Sequence, residues 1–153
     1  MNTCFADPAQ PFTIVTPDIL SDLLAKAKLA PLRRARFCMH ADVEHCIHEM
    51  VIAFWRGSEV PVHRHREKTE SFHVISGEID VLIFDNAGRL FARHRLSADD
   101  PAQPRAMRIQ KPVWHTLQVI SESAIVHEVT QGPFRHEKME IAPWLAVSPQ
   151  DIV

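Results

Sequence analysis

From Glu49 onward the chain breaks into runs too short for helices and too apolar for loops. "EMVIAFWR" (49–56), "VPVHRH" (60–65), "ESFHVIS" (70–76), "EIDVLIFD" (78–85), "RLFARHRL" (89–96), "VWHTLQVI" (113–120) and "SAIVHEVT" (123–130) are strand-length and rich in β-branched or aromatic residues. Turn signals separate them: Gly57, Gly77 and the hairpin sequence "DNAGR" around Gly88. "SADDPAQPRA" (97–106) carries two prolines and is a polar loop, because proline cannot donate to a central ladder. This many short strands in 153 residues predicts an all-β sandwich or barrel.

One segment departs from that pattern. "TPDILSDLLAKAKLA" (16–30) predicts a helix: Thr16 caps it, Pro17 suits its first turn, and Ile19, Leu20, Leu23, Leu24 and Ala27 recur at helical spacing. Pro31 ends it. The length suits one domain, with an N-terminal arm and helix over about 1–35, a barrel core over about 49–131, and a C-terminal wrap over about 132–153 marked by Pro133, Pro143 and Pro149.

Within the strands, "GSEVPVHRHREKTESFHVISG" (57–77) concentrates the chemistry. Residues two apart on a strand share a face, so His63 and His65 project together. Glu70 opens the next strand, where antiparallel pairing brings its carboxylate beside the two imidazoles. Two imidazoles and a carboxylate converging from neighbouring strands make a divalent-metal site. His115 is the expected fourth ligand, because it shares a face with Leu117 and Val119 and so points inward.

Other groups are weighed by the same alternation. Glu128 is in phase with Val126 and Thr130 and is expected inside, with His127 outside. His73 is expected to face away from the metal and His94 to sit on a solvated face. His40, His45 and His48, in "HADVEHCIHEM", read as loop or surface histidines in preference to a second metal site.

Composition narrows the function. Tyrosine is absent, which excludes a phenolic acid or base from this chain. The formal net charge of -2 gives no long-range attraction to nucleic acid or an anionic membrane, so neither is an expected partner. The short basic cluster "PLRRARF" (31–37) reads as a solvated loop or an anion contact. Three cysteines (Cys4, Cys38 and Cys46), without a C-x-x-C, argue against a disulfide framework and for a reducing compartment. No secretory signal and no bilayer-length apolar run is visible, so a cytoplasmic location is expected.

The spacing Gly57, His63-x-His65, Glu70, Gly77 resembles the first cupin motif at every fixed position, and His115 corresponds to the histidine of the second. That second motif usually reads P-x-G-x-x-H. Here "IQKPVWH" lacks the glycine, and Val119 replaces a common asparagine. From about Arg34 to Trp144, the set "RARFCMH", "HRH", "TESFHVISG", "VLIFDNAGR", "VWHT", "HEVTQGPF" and "APW" resembles the WbuC family of cupin-fold metalloproteins. That family tends to have Asn at Cys38 and Tyr at Phe134.

The resemblance implies a single jelly-roll barrel (a double-stranded β-helix) around one divalent transition metal: Zn, Fe, Ni, Mn or Co. It also implies an association with surface-polysaccharide biosynthesis. Arg36 and His40 are then expected at the pocket mouth, holding an anionic or hydroxyl-bearing ligand. Trp114, Phe72, Leu82 and Phe54 are the expected apolar wall, and Glu128 or His40 the proton-transfer group. The expected function is a metal-dependent enzyme, of isomerase, epimerase or dioxygenase type, on a small polar molecule such as a sugar or sugar-nucleotide derivative. The alternative is a non-catalytic binding or sensing domain. By analogy with cupins a homodimer is expected, and metal should leave below about pH 6.5, where imidazoles protonate.

Overall fold

The computed structural model describes residues 2–135 and 138–144. In chain order the elements are β1 (Asn2–Phe5), α1 (Pro17–Leu29), β2 (Arg34–Cys38), β3 (Ile47–Trp55), β4 (His63–His65), β5 (Glu70–Ser76), β6 (Glu78–Phe84), β7 (Leu90–Ser97), β8 (Ala106–Ile109), β9 (Trp114–Val119), β10 (Ser123–Gln131) and β11 (Met139–Ile141). They form a six-stranded sheet, β1-β2-β3-β10-β5-β8, facing a five-stranded sheet, β11-β4-β9-β6-β7. All pairings are antiparallel except β1 with β2. This is the expected jelly-roll barrel with an N-terminal helix.

Alternation sorts the core into three layers. Between the sheets lie Met50, Ile52, Phe54, Phe72, Val74 and Val126 from one wall, and Ile79, Val81, Leu117 and Val119 from the other. On the outer face of the larger sheet, α1 buries Leu23 and Ala27 against Ala35, Val51, Ala53 and Ile125. Full burial of a leucine such as Leu23 contributes about 1.5–3 kcal/mol. The helix begins where expected: the Ile19 N–H donates to Thr16 Oγ1 at 3.4 Å, and Pro17 occupies the first turn. The third layer, Val62, Leu82, Phe84, Trp114 and Ala142, lies outside the smaller sheet with Trp144 packed against it.

Gly77 makes the β5–β6 turn possible. Its φ is +75°, and a Cβ there would stand 2.3 Å from the Ser123 carbonyl oxygen. Only glycine meets both conditions without rearrangement.

The sheets extend beyond the expected barrel core. β2 pairs along its length with β3, from Arg34↔Phe54 to Cys38↔Met50, so the sheet starts well before residue 49. β8 emerges directly from the proline loop and closes the larger sheet. In the expected C-terminal wrap, β11 is a strand that pairs with β4, placing Ile141 opposite His63 and Met139 opposite His65. Pro149 lies outside the described residues. Among the described residues no helix is long and apolar enough to cross a membrane.

Candidate metal centre

The β4 and β9 strands meet at one cross-strand pair, His63↔His115, whose ring centroids are 4.5 Å apart. Glu70, the first residue of β5, reaches toward them from the opposite sheet and not from an antiparallel neighbour of β4 as expected, because β4 pairs with β9 and β11 while β5 pairs with β10 and β8. Donor atoms of His63, Glu70 and His115 all lie within 4.8 Å of one another. That spread is close to what metal–ligand bonds of roughly 2.0–2.2 Å enclose. Glu70 and His115 are buried and His63 is half-buried.

His65 stands differently. Its Nε2 lies 2.9 Å from Glu70 Oε1, but its ring centroid is 6.5 Å from that of His115, and it is not part of the tight trio. The four side chains expected to converge therefore form a close set of three, with His65 joined to it through the shared carboxylate.

Hydrogen bonds fix the rings. The Nδ1 atoms of His63 and His115 each lie 2.9 Å from the carbonyl oxygen two residues upstream, of Pro61 and Val113 respectively. This contact holds the Nδ1–H tautomer and leaves Nε2 as the ligating atom, as outer hydrogen bonds do for metal-bound imidazoles. His115 Nε2 in turn lies 2.9 Å from Glu70 Oε2. His115 thus faces oxygen acceptors at both ring nitrogens, while a neutral imidazole has one N–H to give. A cation between Nε2 and the carboxylate removes the conflict, so the donor set fits a divalent metal.

Burial, together with the nearby His115, pushes His63 down to about 4, so its imidazole stays neutral and able to ligate well below pH 6.5. For this ligand, proton competition begins below the expected limit of about pH 6.5. Burial alone would raise Glu70; the His115 and His65 rings against its two oxygens outweigh it and hold the carboxyl below the usual carboxylate range.

These ligands border a cavity of about 310 Å³. Arg36, His40, Phe72, Phe54 and Glu128 line it, as do Cys38 and Phe134. Register explains the inward set. Glu128 is opposite Met50 on one side and Phe72 on the other, and Thr130 is opposite His48 and Glu70. Burial pushes Glu128 up to about 8, helped by the charge on Glu70. His40 is lowered by burial; its Nδ1 is held at the Glu49 backbone, and its ring stacks on His48 with centroids 4.1 Å apart.

Trp114 and Leu82, expected in the pocket wall, do not line the cavity. They alternate with His115 and Val81, which point inward, and so fall on the outer face. There Trp114 donates from Nε1 to Asn86 Oδ1 at 3.2 Å and sits under the Arg64 guanidinium, 4.3 Å from its ring centroid. His48, read as a loop or surface residue, is 4 % exposed and lines the cavity. Arg34 and Lys68, not singled out from the sequence, line it too. His48 precedes Met50 and Ile52 at strand alternation, a signal that was available; Lys68 carries none.

Comparison with solved structures identifies the barrel as a cupin fold. The chain is similar to the cupin domain of Schizosaccharomyces pombe Cnp3, with a TM-score of 0.51 and 17% identity, over 65% of this chain and 64% of that one. It is similar to Shewanella oneidensis protein SO0799, with a TM-score of 0.54 and 13% identity, over 64% and 63%. A third neighbour is the capsular polysaccharide assembling protein CapF of Staphylococcus aureus, with a TM-score of 0.57 and 14% identity, over 71% of this chain and 31% of CapF. Each match spans less than two thirds of the neighbour's length. No curated protein matches the sequence. A family model described as "Domain of unknown function (DUF6016)" matches residues 15–96, a span that holds the helix and His63, His65 and Glu70. The match covers more than half of the sequence, and the chain belongs to the DUF6016 family.

Proposed function

We propose that this protein is a metal-dependent enzyme acting on a small polar molecule, with His63, Glu70 and His115 as ligands and His65 completing the set. The observation that carries the proposal is the double acceptor environment of His115, which a cation at Nε2 resolves. The WbuC resemblance and the likeness to a capsular polysaccharide assembling protein support a sugar or sugar derivative of surface-polysaccharide biosynthesis as the substrate class. A bound Zn, Fe, Ni, Mn or Co ion would supply Lewis-acid polarisation of a substrate oxygen, and iron would add dioxygen chemistry.

The remaining roles fall to the chain. Glu128, raised to about 8, keeps its proton at neutral pH and is the proposed general acid. His40 is neutral there, and its Nε2 is the ring nitrogen not held by the Glu49 backbone, which makes it the second proposed proton-transfer group. Phe72 and Phe54 keep the floor of the cavity apolar. Arg36 supplies a guanidinium for a substrate oxygen.

The test is turnover of a panel of sugars, sugar nucleotides and hydroxy acids by protein purified without chelators, with and without dioxygen. Conversion that needs the metal and stops in His63→Ala supports the proposal. Tight binding without turnover under either condition would refute the enzymatic reading and leave a binding or sensing domain.

A further inference from the structure

Several arginines away from the cavity lining have carboxylate partners. Arg95 binds Asp80 and Glu78, Arg64 and Arg66 share Glu140, and Arg135 pairs with Glu44. Arg34, Arg36 and Lys68 behave otherwise. All three line the cavity of the metal cluster, and among the described residues no carboxylate forms an ion pair with any of them.

Their positions follow from the sheet. Arg34 is opposite Phe54 and Arg36 opposite Ile52, so both guanidiniums leave β2 on the inner face beside core side chains. Arg34 Nε is buried without a hydrogen-bond partner among the described residues. Arg36 Nε donates to Thr3 Oγ1 at 3.1 Å, and among the described residues its Nη1 has only the weak acceptor Met50 Sδ, at 3.7 Å. Lys68 is 8 % exposed, with Nζ 5.3 Å from the Phe134 ring centroid. Two carboxylates line the cavity: Glu70, engaged by two imidazoles, and Glu128, at ion-pair distance from none of the three cations.

Buried Lys68 and half-buried Arg34 and Arg36 share one cavity without an ion-pair partner among the described residues, an arrangement that costs stability because buried charge is best tolerated when paired. A neutral polyol would leave them unmatched. An oxyanion would match them, since guanidinium forks bind carboxylate and phosphate oxygens bidentately.

We infer that Arg34, Arg36 and Lys68 form an anion subsite, and that the cavity takes a small organic anion whose carboxylate or phosphate group they hold. The cavity volume, about 310 Å³, is at the low end for ligand sites and suits a metabolite rather than a polymer. The inference narrows the substrate class of the proposed enzyme and rests on that reading only in pointing the ligand's other oxygens at the histidine cluster; the subsite itself does not need the metal.

Thermal unfolding of the metal-loaded full chain, titrated separately with malate, inorganic phosphate and butane-1,2,4-triol, tests it. The triol is malate with both carboxylates replaced by neutral hydroxymethyl groups. The expected result is a rise in midpoint with malate, phosphate or both, and none with the triol. A response to malate alone identifies a carboxylate ligand, and to phosphate alone a phosphate ester. In Arg34→Met/Arg36→Gln, and independently in Lys68→Gln, anion affinity falls roughly 10-fold or more.

The ligand-free Arg34→Met protein should melt no lower than wild type, because it loses an unmatched charge. Equal responses to malate and the triol, no response to either anion, unaltered anion affinity in the variants, or a lower midpoint for ligand-free Arg34→Met would each overturn the subsite. Repeating the titration after chelation separates the two readings: an anion response that survives leaves the subsite standing even where metal analysis refutes the metal centre.

Discussion

The histidine end of the cavity and its arginine wall come from the same barrel, yet they handle charge in opposite ways. At the histidine end Glu70 touches His65 and His115, and two Nδ1 atoms are anchored to backbone carbonyls. On the β2 wall and in the loop before β5, two guanidiniums and an ammonium face the same space without an ion-pair partner among the described residues. A site whose donors are oriented by the protein's own backbone is preorganised for a fixed ion. A wall of unmatched cations is complete only when a ligand brings the charge. The contrast separates what the fold holds permanently from what it receives.

The contrast can be broken most severely at Glu70. Glu70→Ala removes a ligand and the group that joins two imidazoles, so metal affinity should fall by more than about 100-fold, measured by competition with a chelator of known affinity. The arginine wall should keep its anion response in that variant.

Next in size is Trp114→Ala. Trp114 is 5 % exposed and packs outside the barrel with Val62, Leu82, Phe84 and Ala142. Chemical denaturation should show a loss of about 3–5 kcal/mol, with metal affinity of the folded protein unchanged. Loss of metal from protein that remains folded would return Trp114 to the site.

Glu128→Gln sharpens the comparison from inside. The folded pKa of Glu128, about 8, lies above its ordinary value of 4.5. Its contribution to stability is therefore complete below about pH 4.5 and is lost as pH rises through about 8. Glutamine mimics the protonated acid without that loss. At pH 7 the variant should be more stable by on the order of 3 kcal/mol, with a flatter alkaline side, while turnover falls if Glu128 is the acid.

The smallest effect is the acid limb. His63 has a folded value of about 4 against an ordinary 6.5. Its contribution is fully present above 6.5 and is lost as pH falls through about 4. Proton competition for this ligand begins correspondingly late, so dialysis at stepped pH should show metal retained at pH 6 and released nearer 4. Release centred near 6.5 would show that His63 does not set the acid limit.

Much of this was legible because the histidine end is local in sequence. His63, His65 and Glu70 lie close in sequence and period-two alternation turns them inward, but β4 and β5 do not pair; the facing of the two sheets across the barrel brings Glu70 to the imidazoles. The same rule applied to β9 places His115 inside and Trp114 outside, so expecting both in the cavity conflicted with the pleat itself. The arginine wall was only partly visible: Arg36 was expected at the pocket mouth, but Arg34 and Lys68 were not. "RRARF" has the look of a solvated charged run, and only the pairing of β2 with β3 turns Arg34 and Arg36 inward. Nor does three-residue β11 announce itself, since nothing in "MEI" marks a strand until it lies against β4.

The central claim is that side chains from β4, β5 and β9 hold one cation. Elemental analysis of wild-type and His115→Ala proteins, purified side by side without chelators and confirmed folded by circular dichroism, tests it most directly. The account predicts close to one divalent transition-metal ion per wild-type chain and almost none in the variant. A folded wild type without metal, or equal metal in both proteins, would contradict it.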